Sequence, residues 1–283
     1  MDHVIKLQML IWKQQNKVYE EIELFIMNFF KDLYNYRELL KTSVKKDIGG
    51  KYKHSFLGVL WSFINPLLQI AVYAIIFPLI IRNNIEHYTV FMVCGLIPWN
   101  FFSTVINRST WAIVQNDNII KKVFFPRAIL PFSLVLSETV NFLISSIIMF
   151  VFTIAYGMGI SKFVLLYPII IIVQDVLMVG IGFILSAITV YMRDIQHFIG
   201  VILQLLMYAT PVVYSIETIP ENYRFILKFN PMTYIIEGYR DILYYQKMPD
   251  MKMLGILFVI GIALSIVGYF IFQKLQKRFA EEL

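Results

Sequence analysis

The chain alternates long apolar runs with short segments that carry most of its charges. A helix needs about 20 apolar residues to cross about 30 Å of hydrocarbon, because each residue adds about 1.5 Å. Five runs reach that length, and a sixth is slightly shorter. The pattern predicts an all-α membrane protein with about six transmembrane helices, near residues 55–81, 88–112, 128–156, 163–190, 198–216 and 253–273.

The first 54 residues show a different pattern, in which charges interrupt every apolar stretch. From about Glu20 to Gly50, apolar residues recur at steps of three and four, which is typical of an amphipathic helix. We expect this helix to lie in the membrane interface and to end at Gly49 and Gly50, with packing on protein as the alternative. Residues 1–54 lack the pattern of a secretory signal and are expected to stay in the cytoplasm.

The segment between the fifth and sixth predicted spans, residues 217–252, is too apolar for a solvated loop. Three prolines, Pro220, Pro231 and Pro249, interrupt it. This pattern predicts two short re-entrant helices that dip back toward the membrane. Irregular backbone at that depth is tolerated only against protein or a cavity.

The overall composition also points to a bilayer. Of the 283 residues, 58% are hydrophobic and 16% are charged, whereas soluble domains are about 45–50% apolar and about 25% charged. The one cysteine, Cys94, lies within an apolar run. It cannot form an internal disulfide, and we expect it to serve as a small hydrophobic side chain.

The distribution of Lys and Arg predicts the orientation of the chain. If the N-terminus is cytoplasmic, the inside segments hold more than twice as many of these residues as the outside segments. By the positive-inside rule, both termini are then expected in the cytoplasm, including the tail 274–283. The same asymmetry accounts for the net charge of +6, so the charge gives no reason to expect a nucleic-acid partner.

The sequence offers no motif for nucleotide binding, metal binding or catalysis. Gly49-Gly50-Lys51 looks like the end of a phosphate-binding loop, but Tyr52 replaces the hydroxyl residue and the first glycine is missing. The four histidines are scattered, without metal-ligand spacing. We therefore expect no cofactor on this chain and no enzymatic activity of its own. Transport against a gradient would draw on a partner protein or on an ion.

Two acidic residues inside predicted spans, Glu138 and Asp175, are the candidates for ion-driven transport. A carboxylate inside the membrane costs about 2.5–3.5 kcal/mol on insertion scales, and such residues are often functional. Neither shows a basic partner in the sequence. The alternative is that each faces the helix bundle and pairs with a polar neighbour such as Asn141 or Gln174.

Four short segments carry a family resemblance: residues 51–66 (KYKHSFLGVLWSFINP), 114–131 (VQNDNIIKKVFFPRAILP), 189–197 (TVYMRDIQH) and 230–241 (NPMTYIIEGYRD). They resemble permeases of the ABC-2 type polysaccharide exporters, the O-antigen and teichoic acid export family. In that family the matching segments are the entry to the first span, two successive cytoplasmic loops, and the outer segment before the last span. The four lie in order over about residues 45–272, at positions that agree with the predicted topology.

The resemblance implies a permease subunit that exports a polyprenol-linked cell-surface polysaccharide, such as an O-antigen or a teichoic acid. The exported molecule would be a polyprenyl-pyrophosphate-linked glycan that crosses the bacterial cytoplasmic membrane. Residues 55–273 would form the ABC-2 type transmembrane domain. The permease would work as a homodimer with two copies of a separate ATPase subunit, on which ATP and magnesium bind.

The resemblance also implies that the first cytoplasmic loop couples ATP hydrolysis to transport. We expect a basic, amphipathic turn of helix that Pro126 stops, with Phe124 and Phe125 seated in a groove of the ATPase. A solvated loop is the alternative, but it does not explain the two aromatic residues. The predicted coupling residues are Asn118, Ile119, Ile120, Lys121, Lys122, Phe124, Phe125 and Pro126, with Arg193 and Asp194 as a second contact or an internal ion pair.

A path for a glycan needs aromatic faces on which sugar C–H groups can stack, and few fixed charges. The candidate path residues are Trp61, Trp99, Trp111, Tyr208, Tyr214, Tyr234 and Tyr239, and interfacial anchoring is the alternative for each. At the inner face, a basic cluster is expected to attract the pyrophosphate head group, or only anionic lipid. This cluster consists of Lys45, Lys46, Lys51 and Lys53.

Two other functions stay open. An ABC-2 exporter of a drug, a lipid or another amphiphile is the nearer alternative, although such relatives often carry a large outside domain or a fused ATPase. A membrane-embedded glycosyl- or phosphotransferase is the other. It would need clustered acids at a membrane face, and the sequence shows no such motif.

Overall fold

The structure is a computed structural model that describes residues 27, 29–52, 57–81 and 85–283. The chain divides into two compact units, Met1–Thr42 and Ser43–Leu283. In the described part of the first unit, residues 29–35 are helical and helix α1 (Arg37–Tyr52) begins. The Arg37 guanidinium lies 4.7 Å from the centroid of the Tyr34 ring there.

Helices make up the regular structure of the second unit, within its described residues. Five of them are long and apolar enough to cross a membrane: α2 (Trp61–Ile81), α3 (Tyr88–Ser109), α5 (Ile129–Ala155), α6 (Tyr167–Tyr191) and α10 (Met251–Leu275). The shorter helices are α4 (Asp117–Ile120), α7 (Ile195–Tyr208), α8 (Arg224–Phe229), α9 (Pro231–Leu243) and α11 (Phe279–Glu282). This architecture confirms the prediction of an all-α membrane protein.

The long helices correspond to five of the predicted spans, with ends that differ by a few residues. The helix predicted from residue 163 begins as α6 only at Tyr167, after a short 3-10 turn. Pro168 occupies the first turn of α6, where a proline favours the start of a helix. The first predicted span is described from residue 57 onward, and residues 55 and 56 lie outside the described residues.

The helices α6 and α10 pack closely along their length, because glycines let the two backbones approach. A Cβ added to Gly268 would lie 2.5 Å from the carbonyl oxygen of Gly180. Further toward the start of α10, Gly261 approaches the backbone of Leu177. Because the contacts advance in the same direction along both helices, α6 and α10 run parallel.

A parallel α6 and α10 require the chain between them to return to the end of the bundle at which α6 begins. Helix α7 has 14 residues, about 21 Å of rise, and it ends at Tyr208 rather than at the predicted residue 216. Pro211 accounts for this early end, because a proline disfavours helical backbone before it. The buried irregular turn that follows reaches the start of α3, where the Tyr88 hydroxyl donates to the Val213 carbonyl at 2.8 Å. Whether α7 and this turn form a sixth membrane crossing stays a prediction.

The segment 217–252 contains two short helices, α8 and α9, as the sequence predicts. Asn230 joins them, and its side-chain oxygen accepts a hydrogen bond from the Met232 backbone N–H at 3.0 Å, which caps α9. Helix α9 packs against the first turns of α3 and α6; the Tyr239 hydroxyl donates to Gln174 of α6 at 3.1 Å. Its depth in a membrane is not fixed by these contacts, so re-entry is still a prediction.

Helix α1 differs from its prediction at the C-terminal end. The helix continues through Gly49 and Gly50 to Tyr52, so the glycine pair does not end it. A glycine in a helix interior costs about 1 kcal/mol, which neighbouring contacts can offset. Asp47, one turn earlier, accepts a hydrogen bond from the Ser137 hydroxyl at 2.5 Å and so holds this part of α1 against α5. The location of α1 in a membrane interface is a separate prediction.

Candidate functional site

The connection between α3 and α5, residues 110–128, holds the segment predicted to couple ATP hydrolysis to transport. Helix α4 is a single turn, closed by the hydrogen bond from the Lys121 backbone N–H to the Asp117 carbonyl at 3.0 Å. The buried side chain of Ile120 anchors this turn, while Asn118 and Ile119 are exposed. The helix ends at Ile120 and is therefore shorter than predicted.

The two adjacent phenylalanines of this connection point in opposite directions. Phe124 is 97% exposed, whereas Phe125 is 6% exposed. The prediction that both seat in a partner is therefore wrong for Phe125, which packs inside its own chain. Pro126 supplies the physical reason, because the residue before a proline favours extended backbone, in which successive side chains alternate. Residues 121–124 form the part of the connection that protrudes, and we call them the exposed tip.

The second predicted coupling segment is the turn between α6 and α7. Arg193 and Asp194 are both exposed in this turn. Both side chains lie in the described part of the chain, and they form no ion pair with each other there. The alternative prediction, an internal ion pair between Arg193 and Asp194, is therefore not observed. Both are therefore accessible to a partner.

The C-terminal residues hold these two segments at the same end of the second unit. The Tyr191 hydroxyl, at the end of α6, donates to the Leu275 carbonyl at 2.7 Å. The Arg127 guanidinium, just after the exposed tip, donates to the Gln276 carbonyl and lies 5.9 Å from the centroid of the Phe279 ring. Because Phe279 is fully buried, this junction is part of the packed interior. The structure therefore places the two predicted coupling segments at the same end of the second unit.

An ion-pair cluster lies nearby, between α1, α3 and α5. The Arg108 guanidinium donates to Glu138 and, at 2.5 Å, to Asp47. The Asn141 amide also donates to Glu138, at 3.2 Å, as the alternative interpretation of Glu138 predicted. The prediction that Glu138 has no basic partner is wrong, since Arg108 pairs with it. The sequence did not reveal this pair because 30 residues separate the two side chains. A paired carboxylate that joins three helices has a structural explanation, which weakens the case for Glu138 in ion transport.

The second intramembrane acid, Asp175, has a neutral partner. The Thr139 hydroxyl donates to its carboxylate at 3.0 Å. Gln174, proposed from the sequence as a partner, instead donates to the Pro98 carbonyl at 3.1 Å and accepts from Tyr239. A direct transport role of Asp175 is still a prediction.

The basic cluster predicted to meet the head group is described only in part. Lys45 and Lys46 are exposed on α1. The backbone of Lys51 is helical, whereas its side chain and all of Lys53 lie outside the described residues. Lys45 and Lys46 thus present charge to solvent or to lipid head groups.

The aromatic residues predicted to line a path fall into two groups. Trp99 and Tyr239 are buried in the core, which excludes contact with a substrate in this arrangement. Trp61, by contrast, lines a cavity between α2, α3 and α5. The remaining predicted path residues are partly or largely exposed: Trp111, Tyr208, Tyr214 and Tyr234. The structure does not gather all seven into one surface of this chain.

Arg240 is a structurally central residue that the sequence analysis missed. It is fully buried on α9, and its guanidinium donates to the carbonyls of Phe91 at 3.2 Å and Val212 at 2.7 Å. It also pairs with Glu237 at 2.8 Å and lies 3.6 Å from the centroid of the Phe91 ring. Arg240 thereby fixes α9 and the irregular turn after α7 to the start of α3. The signal in the sequence was a basic residue inside an apolar segment.

Comparison with known proteins gives consistent matches over most of the chain. The O-antigen export system permease protein RfbA of Klebsiella pneumoniae is 38% identical over 247 residues, which cover 87% of this chain and 95% of that protein. The protein of the same name from Myxococcus xanthus is 35% identical over 260 residues, which cover 91% and 100%. The polysialic acid transport protein KpsM of Escherichia coli is 26% identical over 203 residues, which cover 68% and 74%.

The family assignment comes from a match to residues 38–244. These residues include the six helices from α2 to α7 with the exposed tip, and the pair α8 and α9. They extend over most of the chain, and the matched family model is described as ABC-2 type transporter. The chain therefore belongs to the ABC-2 type transporter family of membrane proteins.

Proposed function

We propose that this chain is the membrane permease subunit of an ATP-driven exporter of cell-surface polysaccharide. The observation that carries the proposal is the 38% identity to a protein named as an O-antigen export permease, over 95% of that protein. The more distant relative is named for polysialic acid transport. Cell-surface polysaccharide is the substrate class that these names share.

The energy source in this proposal is ATP, bound with magnesium on two copies of a separate ATPase subunit. The sequence lacks a phosphate-binding loop, and its described residues include no group of three or more His, Cys, Asp or Glu that could hold a metal ion. The exposed tip supports a docking role, because an exposed aromatic side chain beside basic residues is a common interface anchor. The buried Ile120 and Phe125 on either side make this anchor rigid.

The assembly is proposed to be a homodimer in the bacterial cytoplasmic membrane. Much of the apolar surface of α2 is left uncovered by the rest of the chain, including Leu68, Val72 and Ile75. Such a surface suits either lipid or a second copy of α2. Both termini are assigned to the cytoplasm on the positive-inside rule, which also places the exposed tip and the Arg193–Asp194 turn there.

The substrate is proposed to be a glycan linked to polyprenyl pyrophosphate. Lys45 and Lys46 are exposed near the ion-pair cluster of Asp47, so a pyrophosphate at the inner face would meet positive charge. Electrostatic attraction at an anionic membrane surface contributes about 1 kcal/mol per Lys. This term assists arrival of the substrate, while the spans provide the route across.

Depletion of the protein in its host tests the proposal. We expect full-length polysaccharide on its lipid carrier to accumulate on the cytoplasmic side and to disappear from the cell surface. Restoring expression of the wild-type chain should reverse both changes. Unchanged surface polysaccharide would show that the exported molecule is a different amphiphile, and loss of polymer synthesis would instead indicate a membrane enzyme.

A further inference from the structure

A cavity of about 430 Å³, lined by both polar and apolar side chains, lies between α2, α3 and α5 and has Glu138 of the ion-pair cluster in its lining. This volume falls within the range of small-molecule sites, about 300–1,000 Å³. All three helices are long apolar helices of the second unit. The side chains that give the cavity its polar character are Asn65, Gln69, Asn100, Asn141, Ser145 and Thr104.

The amide groups in this cavity are only partly satisfied within the chain. Asn100 donates to Gln69 at 2.7 Å, so these two amides still have unused donors and acceptors. In the part of the chain that the structure describes, the Asn65 side chain forms no hydrogen bond. An exposed amide without a partner on an apolar helix favours an occupant that forms hydrogen bonds over one that cannot. The cavity therefore suits water or a polar ligand rather than a lipid tail.

The charge of the cavity restricts the kind of polar ligand. Among the described residues that line it there is no Lys or Arg, and the one acid there, Glu138, is already paired with Arg108. A pyrophosphate needs cationic partners, so it is a poor match. A neutral hydroxyl-bearing ligand fits better, because amides both donate to hydroxyl groups and accept from them.

Aromatic side chains complete the lining. Trp61 lies at the cavity beside Asn65 and offers the exposed aromatic face, while the buried rings of Phe101 and Phe142 stack on each other, with centroids 4.6 Å apart, and back the lining from α3 and α5. Sugars present C–H faces to aromatic rings and hydroxyl groups to amides, so this lining matches a saccharide on both counts. We infer that the cavity binds a neutral sugar segment of the exported glycan inside a single subunit. This inference rests on the proposed export function and assigns a subsite to it.

A binding experiment on the full-length protein tests this site. The protein is held in lipid nanodiscs free of maltoside detergent, because a maltoside head group is itself a sugar. The probe is a mixture of oligosaccharides released by mild acid from the surface glycan of the host. We expect a saturable change in tryptophan fluorescence that is lost in Trp61→Phe.

Asn65→Leu provides the specific test of the amide. Leucine is of similar size and apolar, so it favours insertion of α2 and removes only the hydrogen-bonding group. Loss of one hydrogen bond predicts a dissociation constant about tenfold higher. The matched control is Val151→Ala, on the exposed apolar surface of α5 and outside the cavity lining, which should bind as the wild type does. Inorganic pyrophosphate should give no response at Trp61.

Three outcomes would overturn the inference. The first is that the oligosaccharides cause no fluorescence change, which would leave the cavity to water. The second is that Asn65→Leu and the wild type bind with equal affinity. The third is a fluorescence response to pyrophosphate. Depletion of the protein distinguishes failure of the sugar subsite from failure of the proposed export function. If depletion traps the glycan but Trp61 gives no response, export stands and the subsite falls. If depletion leaves the surface glycan unchanged, the export proposal itself falls.

Discussion

Phe124 and Phe125 are neighbours in the sequence but have different surroundings in the fold. Phe125 packs into the interior and supports the connection between α3 and α5, whereas Phe124 projects almost completely into solvent. An exposed aromatic side chain on a supported connection is energetically unfavourable unless a partner covers it. At the residue scale, Phe124 is therefore the side chain to test for contact with the ATPase.

Replacing Phe124 by alanine should impair assembly with the ATPase without unfolding the permease. Truncation of an aromatic anchor costs about 2 kcal/mol of binding free energy, a dissociation constant about thirtyfold higher. Co-purification of the ATPase with Phe124→Ala and surface glycan in cells measure the effect. Phe229→Ala is the control, because Phe229 is also highly exposed but lies on α8, away from the C-terminal junction. Equal assembly of Phe124→Ala and wild type would exclude Phe124 as the anchor.

Several pairings at this scale could not be predicted from the sequence. Arg108 and Glu138 lie on different helices, and neither the periodicity nor the charge count shows that these helices meet. The opposite directions of Phe124 and Phe125 follow from Pro126, which was recognised only as the end of a helix. The structural role of Arg240 was also missed, because its burial depends on carbonyls of distant segments.

At the scale of helices, the pair α6 and α10 shows how the sequence permits close packing. Gly180 and Gly268 bring the two backbones together, so neither position has room for a side chain. Helices in a membrane gain stability from such van der Waals contact, since lipid provides no hydrophobic driving force between them. The parallel direction of this pair also fixes where α10 begins relative to α6.

Replacing Gly268 by alanine should destabilise the protein by about 1–3 kcal/mol, because the new Cβ would overlap the Gly180 carbonyl. A lower midpoint of thermal unfolding in detergent would report this. Gly255→Ala in the same helix is the matched control. A Cβ there has no neighbour within 4 Å, and alanine favours a helix by about 1 kcal/mol over glycine. Equal midpoints for the two variants would contradict the packing described for α6 and α10.

Helix length and hydrophobicity were sufficient to predict the five long helices within a few residues. The same signals failed for α7, because the apolar run continues past Pro211 while the helix does not. They also failed at Gly49 and Gly50, where the contacts of Asp47 sustain α1 despite the glycines. Apolar composition reports burial in lipid or protein, but it does not report whether the backbone stays helical.

At the scale of the whole molecule, an even number of crossings stays a prediction, and the contacts at the two ends of the second unit bear on it. Hydrogen bonds join the C-terminal residues to Arg127, just after the exposed tip, and to Tyr191, just before the Arg193–Asp194 turn, so these segments share one end of the second unit. The turn at Val213 contacts the start of α3, at the other end. We propose from the positive-inside rule that the first end faces the cytoplasm.

Labelling with a membrane-impermeant maleimide tests this topology. Cys94 is buried, so an introduced cysteine should be the reactive one. In intact cells we expect Glu221→Cys to react, and Lys122→Cys and Glu281→Cys to react only after the membrane is opened. If Glu281→Cys reacts from outside, the number of crossings is odd. If Glu221→Cys does not react in intact cells, α8 lies away from the outer surface.

ATP-dependent movement of glycan across the membrane is the most direct test of export. Inside-out vesicles from the host, which carry lipid-linked glycan on their outer surface, are incubated with magnesium and ATP, and the glycan accessible to an added glycosidase is measured. We predict that ATP makes the glycan inaccessible in wild-type vesicles, and that vesicles without ATP or without this protein keep it accessible. Glycan that stays equally accessible in intact, energised wild-type vesicles would contradict the assignment as a polysaccharide export permease.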